Sequence, residues 1–283
     1  MLRGFANLLE SPPLTSQART RWALVLGASS GFGEACSLAL ARAGWDIFGV
    51  HLDRKGTQHN AERIVAEIRA SGRRAEFFNV NAADDEKRAE VIAAIQKTCG
   101  ADPAESRVSV LLHSLAFGTL KPFFAEPREN AIAKPQIEMT LDVMANSLVY
   151  WTQDLFFAKL LSPGGRIFAM TSAGDHIVWP AYGAVSAAKS ALESYVRQLA
   201  VELAPHRVAV NALRAGVTDT PALRKIPGNE GMIERISAMH PAGRLTVPAD
   251  VAHALVALCG DGGAWVSGNV IGVDGAEDVA GGR

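Results

Sequence analysis

The chain has 283 residues, a net charge of −1 and a hydrophobic share of 48%, enough for one large domain or two small ones. The balanced charge excludes the basic face of a nucleic-acid binder, and no apolar run approaches the roughly 20 residues that span a bilayer. Cys36, Cys99 and Cys259 are odd in number and far apart, and the histidines lie singly. Neither a disulfide framework nor a metal site is expected, and the chain reads as a cytoplasmic protein.

Residues 1–21 lack a periodic pattern and contain Ser11-Pro12-Pro13; they read as an arm or a disordered tail. The organised chain starts at Trp22-Ala23-Leu24-Val25-Leu26, a short apolar run typical of a buried parallel strand. It leads into Gly27-Ala28-Ser29-Ser30-Gly31-Phe32-Gly33 and a helix through Ala43. A strand, a glycine-rich turn and a helix form a dinucleotide cradle. The glycines let the backbone approach a pyrophosphate, and the helix offers free N–H groups and a positive dipole end. The spacing is GxxxGxG rather than GxGxxG, and an ordinary strand-to-helix turn is the plainer alternative.

Further strands are expected at Ile47–Val50, Ala75–Val80, Val108–Leu112, Gly165–Met170, Val208–Ala212 and Val270–Val273. Helical patterns lie between them, around Ile64–Ile68, over Glu86–Thr98, over Met139–Leu161, after Tyr182 and over Val251–Leu258. This alternation predicts one α/β domain over 22–283, a Rossmann-type doubly wound parallel sheet flanked by helices. Ligands in such sheets bind beyond the carboxyl ends of the strands. Gly31, Asp53, Asn79 and Ser114 fall at such ends. Residues 221–245 carry apolar beads, among them Leu223, Ile226, Met232 and Ile236, which suit either a core or a substrate lid.

One pair stands apart. In Pro180-Ala181-Tyr182-Gly183-Ala184-Val185-Ser186-Ala187-Ala188-Lys189, seven residues separate a phenol from an ammonium. Seven residues are close to two helical turns, so both groups share a face, with Pro180 suited to the first turn. A phenol beside a cation can donate a proton or bind developing negative charge. A half-buried aromatic and a solvated lysine would give the same pattern.

The Gly27–Gly33 turn, Asn146, Ser172, Lys189 and the Asn211–Thr220 segment together resemble the short-chain dehydrogenase/reductase superfamily, over about Trp22–Ala276. The superfamily's usual spacing is Tyr-x3-Lys, which would put the tyrosine where Val185 stands. Tyr-x6-Lys is the hallmark of the enoyl-acyl-carrier-protein reductases. His113-Ser114-Leu115-Ala116-Phe117 and Ala215-Gly216 agree with that group, and Val217–Leu223 with Pro241–Arg244 look most like its NADPH-linked type III branch. Many of these reductases carry a second tyrosine where this chain has Ser172.

The resemblance implies hydride transfer to the Cβ of a 2-enoyl thioester in fatty acid biosynthesis, on acyl-carrier protein or coenzyme A, by a homotetramer or dimer. Moving the tyrosine three residues shifts its anchor roughly 4.5 Å along the axis, as conjugate reduction requires. Tyr182 would stabilise the enolate oxygen. Lys189 would bind the nicotinamide ribose and favour the ionised phenol, Asn146 would hold a relay water, and Ser172 would contact substrate. Gly27, Ser29, Ser30, Gly31, Phe32, His51, Asp53, Arg54, Asn79, Val80, Ser114, Leu115, Ala116, Lys189, Gly216, Val217 and Thr220 would contact the cofactor.

Members selective for NAD carry an acid where this chain has His51. Arg54 could hold a 2′-phosphate, which favours NADPH, although Asp53 would oppose it, Ser30 replaces an arginine frequent in NADPH enzymes, and NADH stays possible. A ketone or alcohol oxidoreductase acting on 3-oxoacyl or steroid substrates is the first alternative. A dinucleotide-binding regulator without turnover is the second.

Overall fold

The computed structural model describes residues 20–100 and 106–280. Seven parallel strands form one sheet in the order β3-β2-β1-β4-β5-β6-β7. They are β1 (Thr20–Leu26), β2 (Asp46–His51), β3 (Ala75–Asn79), β4 (Ser106–His113), β5 (Leu161–Ser172), β6 (Ala209–Ala215) and β7 (Val270–Val273). The expected arm on 1–21 falls outside the described residues except for Thr20 and Arg21, which already belong to β1.

Side-chain alternation explains the layers. Trp22, Leu24 and Leu26 of β1 face one core, and Ala23 and Val25 face the other. The first core is closed by α3 (Asp85–Cys99), α5 (Ser147–Phe157) and α6 (Gly183–Leu203). The second is closed by α1 (Gly31–Arg42), α2 (Gln58–Ala70) and α8 (Pro248–Cys259). Trp22 stacks on Phe48 with ring centroids 3.9 Å apart, fixing the β1–β2 pair. Such a stack adds about 0.5–1.5 kcal/mol beyond its burial.

Two elements differ from the sequence pattern. The helix expected over Met139–Leu161 is two helices, α4 (Lys134–Leu141) and α5, joined by a π-turn at Asp142–Asn146, and α5 ends at Phe157. Hydrophobic periodicity does not register one inserted residue, whereas π-turns gather at functional sites. Pro180 lies before α6 rather than in its first turn, because the helix begins after Tyr182. Residues 221–245 hold one further helix, α7 (Asn229–Met239), and α9 (Glu277–Ala280) closes the described chain.

Candidate active site

A cavity of about 460 Å³ opens at the carboxyl ends of the strands. Its floor is the turn from β1 to α1. Gly27 adopts φ +89°, and a Cβ there would run into the Ser114 carbonyl; at Gly33 it would run into the Gly27 carbonyl. Both glycines are needed for this close packing of β1, β4 and α1, while Gly31, at φ +56°, lies on the cavity wall where α1 presents its N-terminus to a pyrophosphate. Ser29, Ser30, Gly31, Phe32, His51, Val80, Ser114, Leu115 and Ala116 line the same cavity, as do Gly216, Val217 and Thr220 after β6.

The end of β5 meets α6 through three consecutive residues. The Met170 carbonyl accepts a 2.7 Å hydrogen bond from Lys189 Nζ. The Thr171 hydroxyl donates to Glu193 Oε1 at 2.7 Å. Ser172 Oγ lies 3.5 Å from the Tyr182 hydroxyl, and both residues line the cavity. The Tyr182 ring packs against Gly174, where a Cβ would strike its edge. Val185, 5% exposed, fills the position that the usual spacing gives to a tyrosine.

Burial raises the Tyr182 pKa, and the Ser172 hydroxyl only partly offsets it. The phenol is therefore a neutral hydrogen-bond donor. Burial lowers the Lys189 pKa to about 8 against the opposing pull of Glu193. Beside it, His113 on β4 is pushed down to about 3, by burial first and by the Lys189 charge second. That imidazole is neutral, and its Nε2 lies 2.9 Å from Ser147 Oγ.

Four expected site residues lie off the cavity wall: Asn146, Asp53, Arg54 and Asn79. Asn146 Oδ1 accepts from the Tyr195 hydroxyl at 2.9 Å, and its Nδ2 lies 3.5 Å from Asp142 Oδ1. The π-turn offsets the helical phase at that point, so Val143 and Met144 take the wall and the amide faces α6. The relay role expected of the Asn146 side chain finds no support in this placement.

Asn79 clamps the loop after β2, accepting from the Asp53 N–H at 2.9 Å and donating to the Asp53 carbonyl at 3.0 Å. Asp53 Oδ2 lies 2.8 Å from His51 Nδ1. Burial pushes the Asp53 carboxyl up, but hydrogen bonds from Thr57, Ser29 and His51 outweigh it and hold the group below its ordinary range. Arg54 is exposed and has no side-chain partner among the described residues.

Sequence reasoning passed over the wall residues Trp179 and Glu277, and left the apolar beads of 221–245 between core and lid. Trp179 donates its indole N–H to the Pro227 carbonyl at 3.1 Å, tying the loop before Tyr182 to the segment before α7. Leu223, Ile226, Met232 and Ile236 line the cavity, so the apolar beads serve as wall rather than core. Glu277 reaches the wall from beyond β7; the strand-end rule applied to the last strand would have found it.

A glycine cradle open to a pyrophosphate, facing a buried lysine and a tyrosine across the strand ends, defines a doubly wound nicotinamide-dinucleotide oxidoreductase. Residues 27–276 match the family model described as enoyl-(acyl carrier protein) reductase. The chain belongs to that family, within the short-chain dehydrogenase/reductase superfamily. It is 29% identical to 1-cyclohexenylcarbonyl-CoA reductase of Streptomyces collinus over 92% of this chain and 88% of that one. Identity to the 3-oxoacyl-[acyl-carrier-protein] reductase of Pseudomonas aeruginosa is 27%, over 89% and 95%. The fold superposes on the enoyl-[acyl-carrier-protein] reductase (NADH) of Aquifex aeolicus with a TM-score of 0.77, at 22% identity and 93% and 97% coverage. Among the described residues no helix is long and apolar enough to cross a membrane, and no side-chain cluster could hold a metal ion.

Proposed function

We propose that the protein reduces the double bond of a 2-enoyl thioester, with NADPH as cofactor. One observation carries this reading: the cavity's phenol comes from Tyr182, and Val185 occupies the ketoreductase position. In conjugate reduction hydride reaches Cβ, while charge develops on the thioester oxygen, whose carbon is two carbons away. A phenol displaced by three residues suits that oxygen. Tyr182, neutral and buried, donates a hydrogen bond to the enolate as it forms, in a site where such a donor acts strongly.

The cofactor, when bound, supplies the hydride. Lys189 is held by Met170 so that its remaining N–H groups can meet ribose hydroxyls. The apolar residues Leu223, Ile226, Met232 and Ile236 would shelter the acyl chain and exclude water. NADPH rests on Arg54 and Asp53 together. The Asp53 carboxylate is occupied by His51, Thr57 and Ser29, whereas the Arg54 guanidinium is free for a phosphate.

Ser172 supports a second reading. A serine 3.5 Å from the phenol forms a two-donor site that could hold a ketone oxygen, and one relative is a 3-oxoacyl reductase. The test follows NADPH oxidation with matched 2-enoyl and 3-oxoacyl thioesters on coenzyme A and on acyl-carrier protein. Faster turnover of the enoyl substrates supports the first reading. Turnover of 3-oxo substrates alone selects the second, and cofactor binding without any turnover would leave only a regulatory role.

A further inference from the structure

We infer that Glu277 is a cofactor-site residue that favours the oxidised dinucleotide over the reduced one; this rests on the cavity binding a nicotinamide dinucleotide. Among the described residues Glu277 is the sole carboxylate on the cavity wall. It lies just past the stretch 27–276 that the family model matches. Its side chain is only 12% exposed. Both oxygens lie 3.0 Å from the single N–H of Val217, so most of their accepting capacity remains open.

The turn that carries Glu277 is anchored on three sides. Asp278 accepts from Arg214 of β6 at 2.5 Å and lies 2.8 Å from His176 Nε2, in the loop between Ser172 and Tyr182. The Asp274 carbonyl lies 2.9 Å from His240 Nε2. The carboxylate is thus fixed against the segment after β6 rather than swinging in solvent. Gly216 is built to receive it, since a Cβ there would come within 2.7 Å of Glu277 Oε2 and 2.5 Å of Thr246 Oγ1.

The chemistry follows from charge. Tyr182, Lys189, Gly216 and Glu277 share one cavity. An oxidised nicotinamide ring is a cation and a reduced one is neutral. Lys189 opposes the cation and Glu277 favours it. A buried carboxylate in a low dielectric acts on such a ring far more strongly than one in water. The groups facing Glu277 are His240, with Nε2 at 3.7 Å, and the acids Asp274 and Asp278. Burial raises the Glu277 pKa above its ordinary value.

The experiment measures dissociation constants of oxidised and reduced NADP and NAD for the full chain and for Glu277→Gln, by calorimetry and by quenching of tryptophan fluorescence. The variant keeps the acceptor for Val217 and removes the charge. Affinity for the oxidised forms is expected to fall about fivefold, the difference between a charge-assisted and a neutral contact, with the reduced forms unchanged. Equal weakening of both forms would mean that Glu277 only braces the Gly216–Val217 turn, and would overturn the inference; so would no change in either. A second measurement needs no variant: affinity of the wild type for the oxidised form should fall as pH drops through the raised Glu277 pKa. A flat profile there would also overturn it. A wild type that binds no dinucleotide would instead overturn the reading of the cavity itself.

Discussion

Replacing Tyr182 with phenylalanine tests the site at its centre. The substitution removes one oxygen and keeps the ring that packs on Gly174. The lost contact to Ser172 is 3.5 Å long, at the weak end of hydrogen bonding. Folding stability should therefore change by less than about 1 kcal/mol, or a few degrees in Tm for a chain of this size. The catalytic loss is of another order. Removing one preorganised oxyanion donor costs about 2.7–4 kcal/mol, or roughly a hundredfold to a thousandfold in kcat. Stopped-flow single turnovers with a 2-enoyl-CoA and the reduced cofactor keep product release from masking the chemical step. Dinucleotide affinity, measured alongside, should stay within about twofold, since the phenol adds no charge to the pyrophosphate or adenosine ends. A variant that retains more than about a tenth of wild-type turnover would refute the assignment. Ser172→Ala gives the contrast: a small loss on enoyl substrates, but a loss near that of Tyr182→Phe on any 3-oxo substrate.

Three further outcomes are expected. The Lys189 pKa near 8 lies below the ordinary lysine value, so its ammonium is present below about pH 8 and lost as pH rises through it; kcat/KM should show an alkaline limb there, and a profile flat to pH 10 would contradict it. Over that same window the unfolded chain binds the extra proton, so stability should rise with pH while activity falls. Arg54→Ala should raise KM for NADPH and leave KM for NADH almost unmoved; a wild type with the higher kcat/KM for NADH would assign control of the site to Asp53. Hydrogen exchange across residues 221–245 should slow when cofactor and a long-chain thioester are added together, because α7 has no fully buried residue of its own; exchange that is already slow without ligand would remove the lid.

The sheet was legible because buried parallel strands are short apolar runs with glycine or polar punctuation, and β1, β2 and β7 follow that pattern closely. The glycine turn was legible for the same local reason, as was the placing of Tyr182 and Lys189 on one cavity. What escaped depends on contacts between distant segments. Asn146 entered the expected site through the family resemblance, but a π-turn inside an otherwise regular pattern turned it toward Tyr195. Asp53 read as a free acid opposing a phosphate, yet His51 beside it and Asn79 from the next strand take up both its side chain and its backbone. Glu277 stands past the end of the last strand, where the strand-end rule points, but its contact with Val217, sixty residues earlier in the chain, left no mark in the sequence.

The meeting of Met170, Thr171 and Ser172 with Lys189, Glu193 and Tyr182 has a consequence for how such a gene can vary. Neighbouring residues on a strand point to opposite faces, so deleting one codon within β5 would exchange the faces of everything after it. Thr171 would then turn away from Glu193, and Tyr182 would face the wrong side chain. The nine residues between Ser172 and Tyr182 carry no such constraint from pleating. Length changes in natural variants should therefore spare the strand and collect in that loop between its fixed points, Gly174 against the Tyr182 ring, His176 on Asp278 and Trp179 on Pro227.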